Sequence, residues 1–295
     1  MSVRRIGIIG TENSHAEHFV RFLNVEKRHP GNRVAALVGG RTGREEALCG
    51  AGGIDLVVEH PSDLIGHVDA AIVCSRDGRA HREQAEPLLR AGLPVFVDKP
   101  MATSVGDAQA LVAAAEQAGV PLVSGSALRF VPGIQVLTEA AEQCGAIRHV
   151  ALSGPADPES EYAGLFFYGI HLVEAALQLL GDPIVAPGSA TTTVSRHGDT
   201  VVAVTRAADV FLTFAFVTPA GGEQTSFHAT VTGTGGVRSA GLTLPPDYTA
   251  PPLARFIDAC DRGEPLKDRA GLLSPIVLLQ SVTDALSANT LYEKD

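Results

Sequence analysis

The chain has 295 residues, 45% of them hydrophobic, and a formal net charge of −10. That length exceeds a single comfortable core and predicts two domains. The acidic balance argues against a nucleic-acid or anionic-membrane partner, which would need clustered Lys and Arg; stretches such as "RRIG" and "GGRTGREE" are short and interrupted.

The opening "RRIGIIG" reads as a buried strand running into a turn, and "SHAEHFVRFLNVEKRH" as a helix. "RVAALVG" is a strand, "GREEALCGAGG" a helix ending in glycines, and "IDLVVEH" a short strand. "DAAIVCS", "PVFVDKP" and "VPLVSGSAL" are further strands, separated by the helices "RAHREQAEPLLRAG" and "VGDAQALVAAAEQAG". Apolar strands alternating with helices predict a parallel sheet covered on both faces. With right-handed crossovers this is a doubly wound Rossmann domain over residues 1–123. From 124 to 295 the pattern becomes α+β. The helices are "PGIQVLTEAAEQCG", "GLFFYGIHLVEAALQLLGD", "PPLARFIDACDRG" and "SPIVLLQSVTDALSAN". The strands "SATTTVSRHG", "TVVAVTRAAD", "VFLTFAFVTP" and "QTSFHATVTGTGG" predict an open, largely antiparallel meander.

Cys49, Cys74, Cys144 and Cys260 lie far apart and form no CxxC, which argues against a disulfide framework or thiolate zinc site and points to a reducing, cytoplasmic compartment. The first apolar run is too short for a signal peptide, and no run is expected to span a bilayer.

The segment "VFVDKPMATSVGDAQALVAAAEQAGVPL" resembles the Gfo/Idh/MocA oxidoreductases, in which a Glu-Lys-Pro triplet ends the fifth Rossmann strand. Here the triplet is Asp98-Lys99-Pro100. "IGIIGT", "DAAIVCSRDGRAHREQAEPLLRAG" and "YGIHLVEAALQLLGD" agree in order and spacing, so the resemblance covers nearly the whole chain.

The resemblance implies an NAD(P)-dependent transfer of hydride to or from a small polyhydroxylated molecule, such as a sugar or cyclitol. It implies Lys99 near nicotinamide and substrate, and His171 as proton acceptor. An ammonium at a strand's carboxyl end suits a substrate oxygen, and neutral imidazole suits proton transfer near pH 7. Glu174, one helical turn on, could orient the ring. Four residues before His171, where the family usually has an aspartate, stands Phe167, which neither titrates nor hydrogen-bonds.

The cofactor loop is expected to comprise Gly10, Thr11, Glu12, Asn13 and Ser14, joined by Arg41, Ser75, Arg76, Asp98 and Lys99. It lacks the second glycine, and Glu12 brings negative charge unless its side chain points outwards. Asn13 and Ser14 can cap the following helix. After the second strand "VGGRTGR" offers Arg41 and Arg44 and no carboxylate, favouring NADP over NAD, although a solvated basic loop has the same composition. Glu12, His15 and His18 share one side of a helix start, but no further ligand is evident and no metal is expected. Two other readings stay open: a non-catalytic ligand-binding or regulatory relative that kept the fold, and an enzyme using NAD transiently for elimination or hydrolysis on a sugar. An exposed sheet face predicts a homodimer or homotetramer through the C-terminal sheet.

Overall fold

The computed structural model describes residues 3–39, 43–220, 225–263 and 269–292. The chain divides into two units. The first comprises Met1–Ala102, Gly106–Gly125 and Thr249–Arg269, and the second Thr103–Val105, Ser126–Tyr248 and Ala270–Asp295.

The first unit is built on β1 (Arg4–Ile9), β2 (Asn32–Val38), β3 (Leu56–Val58), β4 (Ala70–Val73), β5 (Val95–Val97) and β6 (Leu122–Val123). They pair in the order β3-β2-β1-β4-β5-β6, every pair parallel. All residues of β4 and β5 are buried, as a sheet covered on both faces requires. The crossovers are α1 (Ser14–Val20), α2 (Arg44–Gly52), α3 (His81–Arg90) and α4 (Val105–Ala118). α1 is shorter than the expected helix, because Arg21–Val25 widens into a π turn. The strand order reverses between β1 and β4, the switch point at whose carboxyl edge open α/β sheets bind ligands.

Helix α7 (Ala250–Arg262) departs from the expected boundary, which assigns all of 124–295 to the second domain. Its stripe Leu253, Phe256 and Ile257 is buried in the same core cluster as Phe19, Val20 and Phe96. The Phe256 and Phe96 ring centroids are 5.9 Å apart. Helical spacing made α7 legible, but which sheet its stripe covers is a tertiary fact.

The second unit holds α5 (Pro132–Ala141), β7 (Ile147–Pro155), α6 (Gly169–Leu179), β8 (Thr193–His197), β9 (Thr200–Ala207), β10 (Val210–Val217), β11 (Phe227–Gly233), β12 (Gly236–Leu242) and most of α8 (Arg269–Tyr292). The strand order is β12-β11-β7-β10-β9-β8. It is not a pure meander: β7 and β10 run parallel, while the other pairs are antiparallel. The chain leaves β7 through α6 and the β8–β9 hairpin before β10 returns beside it. β7 and β12 fall outside the expected strands, since polar residues and glycines blur their alternation. α5 and α6 cover one face of the sheet, where Val150, Leu152, Leu212 and Phe214 are buried.

α8 corrects a second expectation. Arg269–Asn289 is long and apolar enough, by length and composition alone, to cross a membrane, with mean hydropathy 1.3. Its Ile276, Val277, Leu278, Leu279 and Val282 are buried, as in the core helix of a globular unit.

Replacing Phe256 by Ala should destabilise the first unit by about 3–5 kcal/mol, as aromatic-to-alanine changes in packed cores do. Denaturant unfolding of the purified variant checks this.

Candidate active site

The turn after β1 lies against the end of β4. Gly10 has φ +96°, and a Cβ there would stand 2.2 Å from the Ser75 amide nitrogen and 2.5 Å from the Cys74 carbonyl carbon. Only glycine meets both demands. Asn13 caps α1, its Oδ1 accepting the His15 N–H at 3.2 Å, while its Nδ2 donates to the Cys74 carbonyl at 2.9 Å. Both of its polar ends are thus committed to the scaffold. Ser14 is the exposed first residue of α1. The Thr11 hydroxyl is buried and has no hydrogen-bond partner among the described residues.

The Glu12 side chain turns across the switch point rather than outwards. Its Oε1 accepts the Arg76 backbone N–H at 2.9 Å. The Arg44 and Arg76 guanidiniums each reach the Glu12 carbonyl at 3.4 Å, and Arg44 also pairs with Glu17. Arg41 lies outside the described residues.

Beyond β4, the Ser75 hydroxyl donates to Gln84 at 2.9 Å. The ring of fully buried His81 bridges two loops, with Nε2 2.8 Å from the Ser75 carbonyl and Nδ1 2.8 Å from the Pro100 carbonyl. The Lys99–Pro100 peptide is cis. Asp98 and half-buried Lys99 follow β5. The Asp98 carboxylate meets His15 Nδ1 at 2.6 Å, with both residues buried. Burial alone would raise the Asp98 carboxyl. The charge and hydrogen bond of His15, with the charge and amide of Lys99, outweigh it and hold the group well below the usual carboxylate range. Burial, reinforced by the charges of Asp98 and Glu12, pushes the Cys74 thiol up, which keeps it protonated and unreactive.

The second unit positions His171 on α6. Ser126 Oγ and His171 Nδ1 are 2.5 Å apart, and both residues are buried. Glu174, expected to orient the ring, instead receives the Ser126 backbone N–H at 2.7 Å, so it sets the serine that meets the histidine. Arg129 completes the group, donating from Nη1 to the Glu174 carbonyl at 3.0 Å and from Nη2 to both Asp182 carboxylate oxygens at 2.5 and 2.6 Å. Phe167 precedes α6, after a 3-10 turn at Gly164–Phe166. Its ring packs on Tyr162 at 4.9 Å and Tyr168 at 5.0 Å, and Tyr168 lies 5.7 Å from His171. An aromatic shelf therefore stands beside the histidine at the family's aspartate position.

Within the first unit, the candidate residues from Gly10 to Asn13, with Ser75 and Arg76, gather at the ends of β1 and β4. Asp98 and Lys99 stand at the end of β5. Glu12 and His15 serve different partners, Arg76 and Asp98, and no group of three or more potential metal ligands forms among the described residues. Sequence reasoning missed His81 and Ser126, and it considered His15 as part of an altered glycine loop and as a metal ligand, the latter not expected, but not as the partner of Asp98. The glycine approach, the unpartnered Thr11 hydroxyl and the two guanidiniums are compatible with a dinucleotide at this edge.

A doubly wound sheet with a glycine turn at its switch point defines the first unit as a dinucleotide-binding Rossmann fold. The family model described as an oxidoreductase family with an NAD-binding Rossmann fold (GFO_IDH_MocA) matches residues 4–126, and it is to this Gfo/Idh/MocA family that the chain is similar. It is 34% identical over 190 residues to an inositol 2-dehydrogenase of Paracoccus denitrificans, a match covering 61% of this chain and 55% of that one. It is 30% identical over 139 residues to a 1,5-anhydro-D-fructose reductase of Ensifer adhaerens, covering 47% and 40%. The chain thus matches about half the length of these curated relatives. Scyllo-inositol dehydrogenase from Lactobacillus casei, solved with NAD(H) and scyllo-inositol, superposes with TM-score 0.79 at 16% identity, covering 98% of each chain. At that identity the superposition speaks for the fold.

Asp98→Ala should cost about 1–3 kcal/mol at neutral pH, because it leaves the buried His15 Nδ1 without its hydrogen-bond partner. The Asp98 pKa is depressed in the folded state, so its contribution is fully present above about pH 4 and is lost as pH falls towards the folded value. The gap between wild type and variant should therefore narrow below about pH 4. Denaturant unfolding at stepped pH measures it.

Proposed function

We propose that this chain is a cytoplasmic NAD(P)-dependent oxidoreductase acting on a small polyhydroxylated molecule such as a sugar or cyclitol. The observation that carries the reading is Lys99, held at the carboxyl end of β5 beside the buried His15–Asp98 pair. The bound nicotinamide supplies hydride acceptance or donation. Gly10, Thr11 and the Ser75–Arg76 loop hold the dinucleotide, with NADP as the finer expectation. Lys99 holds and polarises the substrate oxygen, which favours a developing alkoxide. His171 carries the hydroxyl proton; a Ser126 hydroxyl donating to Nδ1 puts the N–H on Nε2, whereas a ring donating from Nδ1 makes Nε2 the acceptor nitrogen. Tyr162, Phe167 and Tyr168 offer flat apolar surface to the C–H face of a ring-shaped substrate. Four free cysteines accord with a reducing compartment.

Glu12 favours a second reading, in which a non-catalytic relative keeps the fold with its own carboxylate bridging the crevice. Titration of the folded protein with NADH and NADPH separates the two: saturable binding supports the oxidoreductase, and binding of neither overturns it. Lys99→Ala should lower kcat at least about a hundredfold while dinucleotide affinity changes by no more than a few fold. Steady-state kinetics on an identified substrate, paired with that titration, tests the assignment.

We also propose a homodimer or homotetramer through the outer face of the second sheet. Val202, Val204 and Phe211 are 37%, 40% and 54% exposed there. Registered rows such as Val204–Thr213–Ala151–Thr230 extend this face without a charge. Val204→Glu should shift the mass in sizing with light scattering towards the monomer; a monomeric wild type would contradict the assembly.

A further inference from the structure

Glu12 stands at the one place in the first unit where strand order dictates a ligand. The turn after β1 and the loop after β4 flank the switch point, and the Glu12 carboxylate joins them through its 2.9 Å bond from the Arg76 N–H. A backbone amide at such an edge is the kind of group that receives an anionic ligand. Here the chain supplies the anion itself. Two guanidiniums, Arg44 and Arg76, reach the backbone carbonyl of the same residue. Next to it in the chain, the Thr11 hydroxyl is buried and unpartnered among the described residues. The edge therefore combines donors suited to phosphate with a resident carboxylate that holds one of them.

We propose that Glu12 is an affinity-setting latch: its carboxylate closes the β1–β4 crevice, and a dinucleotide binds only by turning it off the Arg76 amide. The inference rests on the dinucleotide reading above. Displacement frees one N–H for the ligand and removes a negative charge from the path of its phosphates. The latch lowers affinity without altering the fold, because Gly10 and Asn13 keep the turn on β4 whichever way Glu12 points.

Two variants separate charge from hydrogen bond. Glu12→Gln keeps an acceptor for the Arg76 N–H and loses the charge, whereas Glu12→Ala loses both. NADH and NADPH are titrated into each protein by calorimetry, and exchange of the Arg76 amide is followed by NMR in the ligand-free proteins. The expected result is faster Arg76 exchange in Glu12→Ala. The dissociation constant of that variant should fall about tenfold below wild type, with Glu12→Gln between them. Binding by Glu12→Ala where wild type binds neither dinucleotide would also support the latch, and would mark the native chain as self-occluded. Binding by wild type that Glu12→Ala equals or weakens would overturn the latch and leave the oxidoreductase reading intact. Failure of all three proteins to bind would overturn both.

Discussion

The approach of the β1 turn to the end of β4 is the constraint on which the first unit's functional edge depends. A side chain of any size at Gly10 would collide with the backbone of Cys74 and Ser75. Because the turn can sit there, Asn13 reaches the Cys74 carbonyl and caps α1 in the same stroke. The start of α1 is then fixed over the sheet, which brings His15 to Asp98. That contact fixes Asp98, the residue before Lys99, and the His81 ring joins the Ser75 and Pro100 carbonyls. One missing methyl group is thus followed by a chain of short polar contacts from β1 to β5. Each removes a degree of freedom from the loops that would face a ligand.

The polar groups along this edge are matched one to another rather than set out as a uniform field. Glu12 takes the Arg76 amide on its carboxylate and the Arg44 and Arg76 guanidiniums on its carbonyl, and Asp98 meets His15 and precedes Lys99. A buried carboxylate is tolerable only when hydrogen-bonded and matched, and Asp98 satisfies both conditions. The second unit repeats the logic with different residues: Arg129 binds Asp182 and the Glu174 carbonyl, Glu174 binds Ser126, and Ser126 meets His171. In both units the histidine of interest is oriented by a group distant in sequence.

That distance explains what the sequence could and could not reveal. The strands of the first sheet are apolar runs bounded by turns and alternating with helices, so their existence and parallel pairing followed from local pattern. The Asp98-Lys99-Pro100 segment and the His171 helix stood out by resemblance to a family. The partner of Asp98 lies 83 residues away at His15, and Ser126 lies 45 residues before His171; no periodicity encodes such pairings. β7 was hidden because Arg148, His149 and Ser153 interrupt its apolar alternation, although it occupies the middle of its sheet. The loop at Glu12 could be recognised as altered, but its direction depended on an amide donated by Arg76.

The placement of α7 bears on how such a protein can be taken apart or recombined. Its buried stripe comes from residues 253–257, whereas the sheet beneath ends with β6 at Val123. The matched family segment, 4–126, is therefore shorter than the body that packs as one core. Cut out alone, it would leave Phe96 and its neighbours without their Phe256 cover. A splice between relatives at residue 126 would mate one parent's sheet with the other parent's covering helix, so the dinucleotide half is not an exchangeable cassette. Substitutions in β5 and in α7 must be accommodated together across more than a hundred and fifty intervening residues.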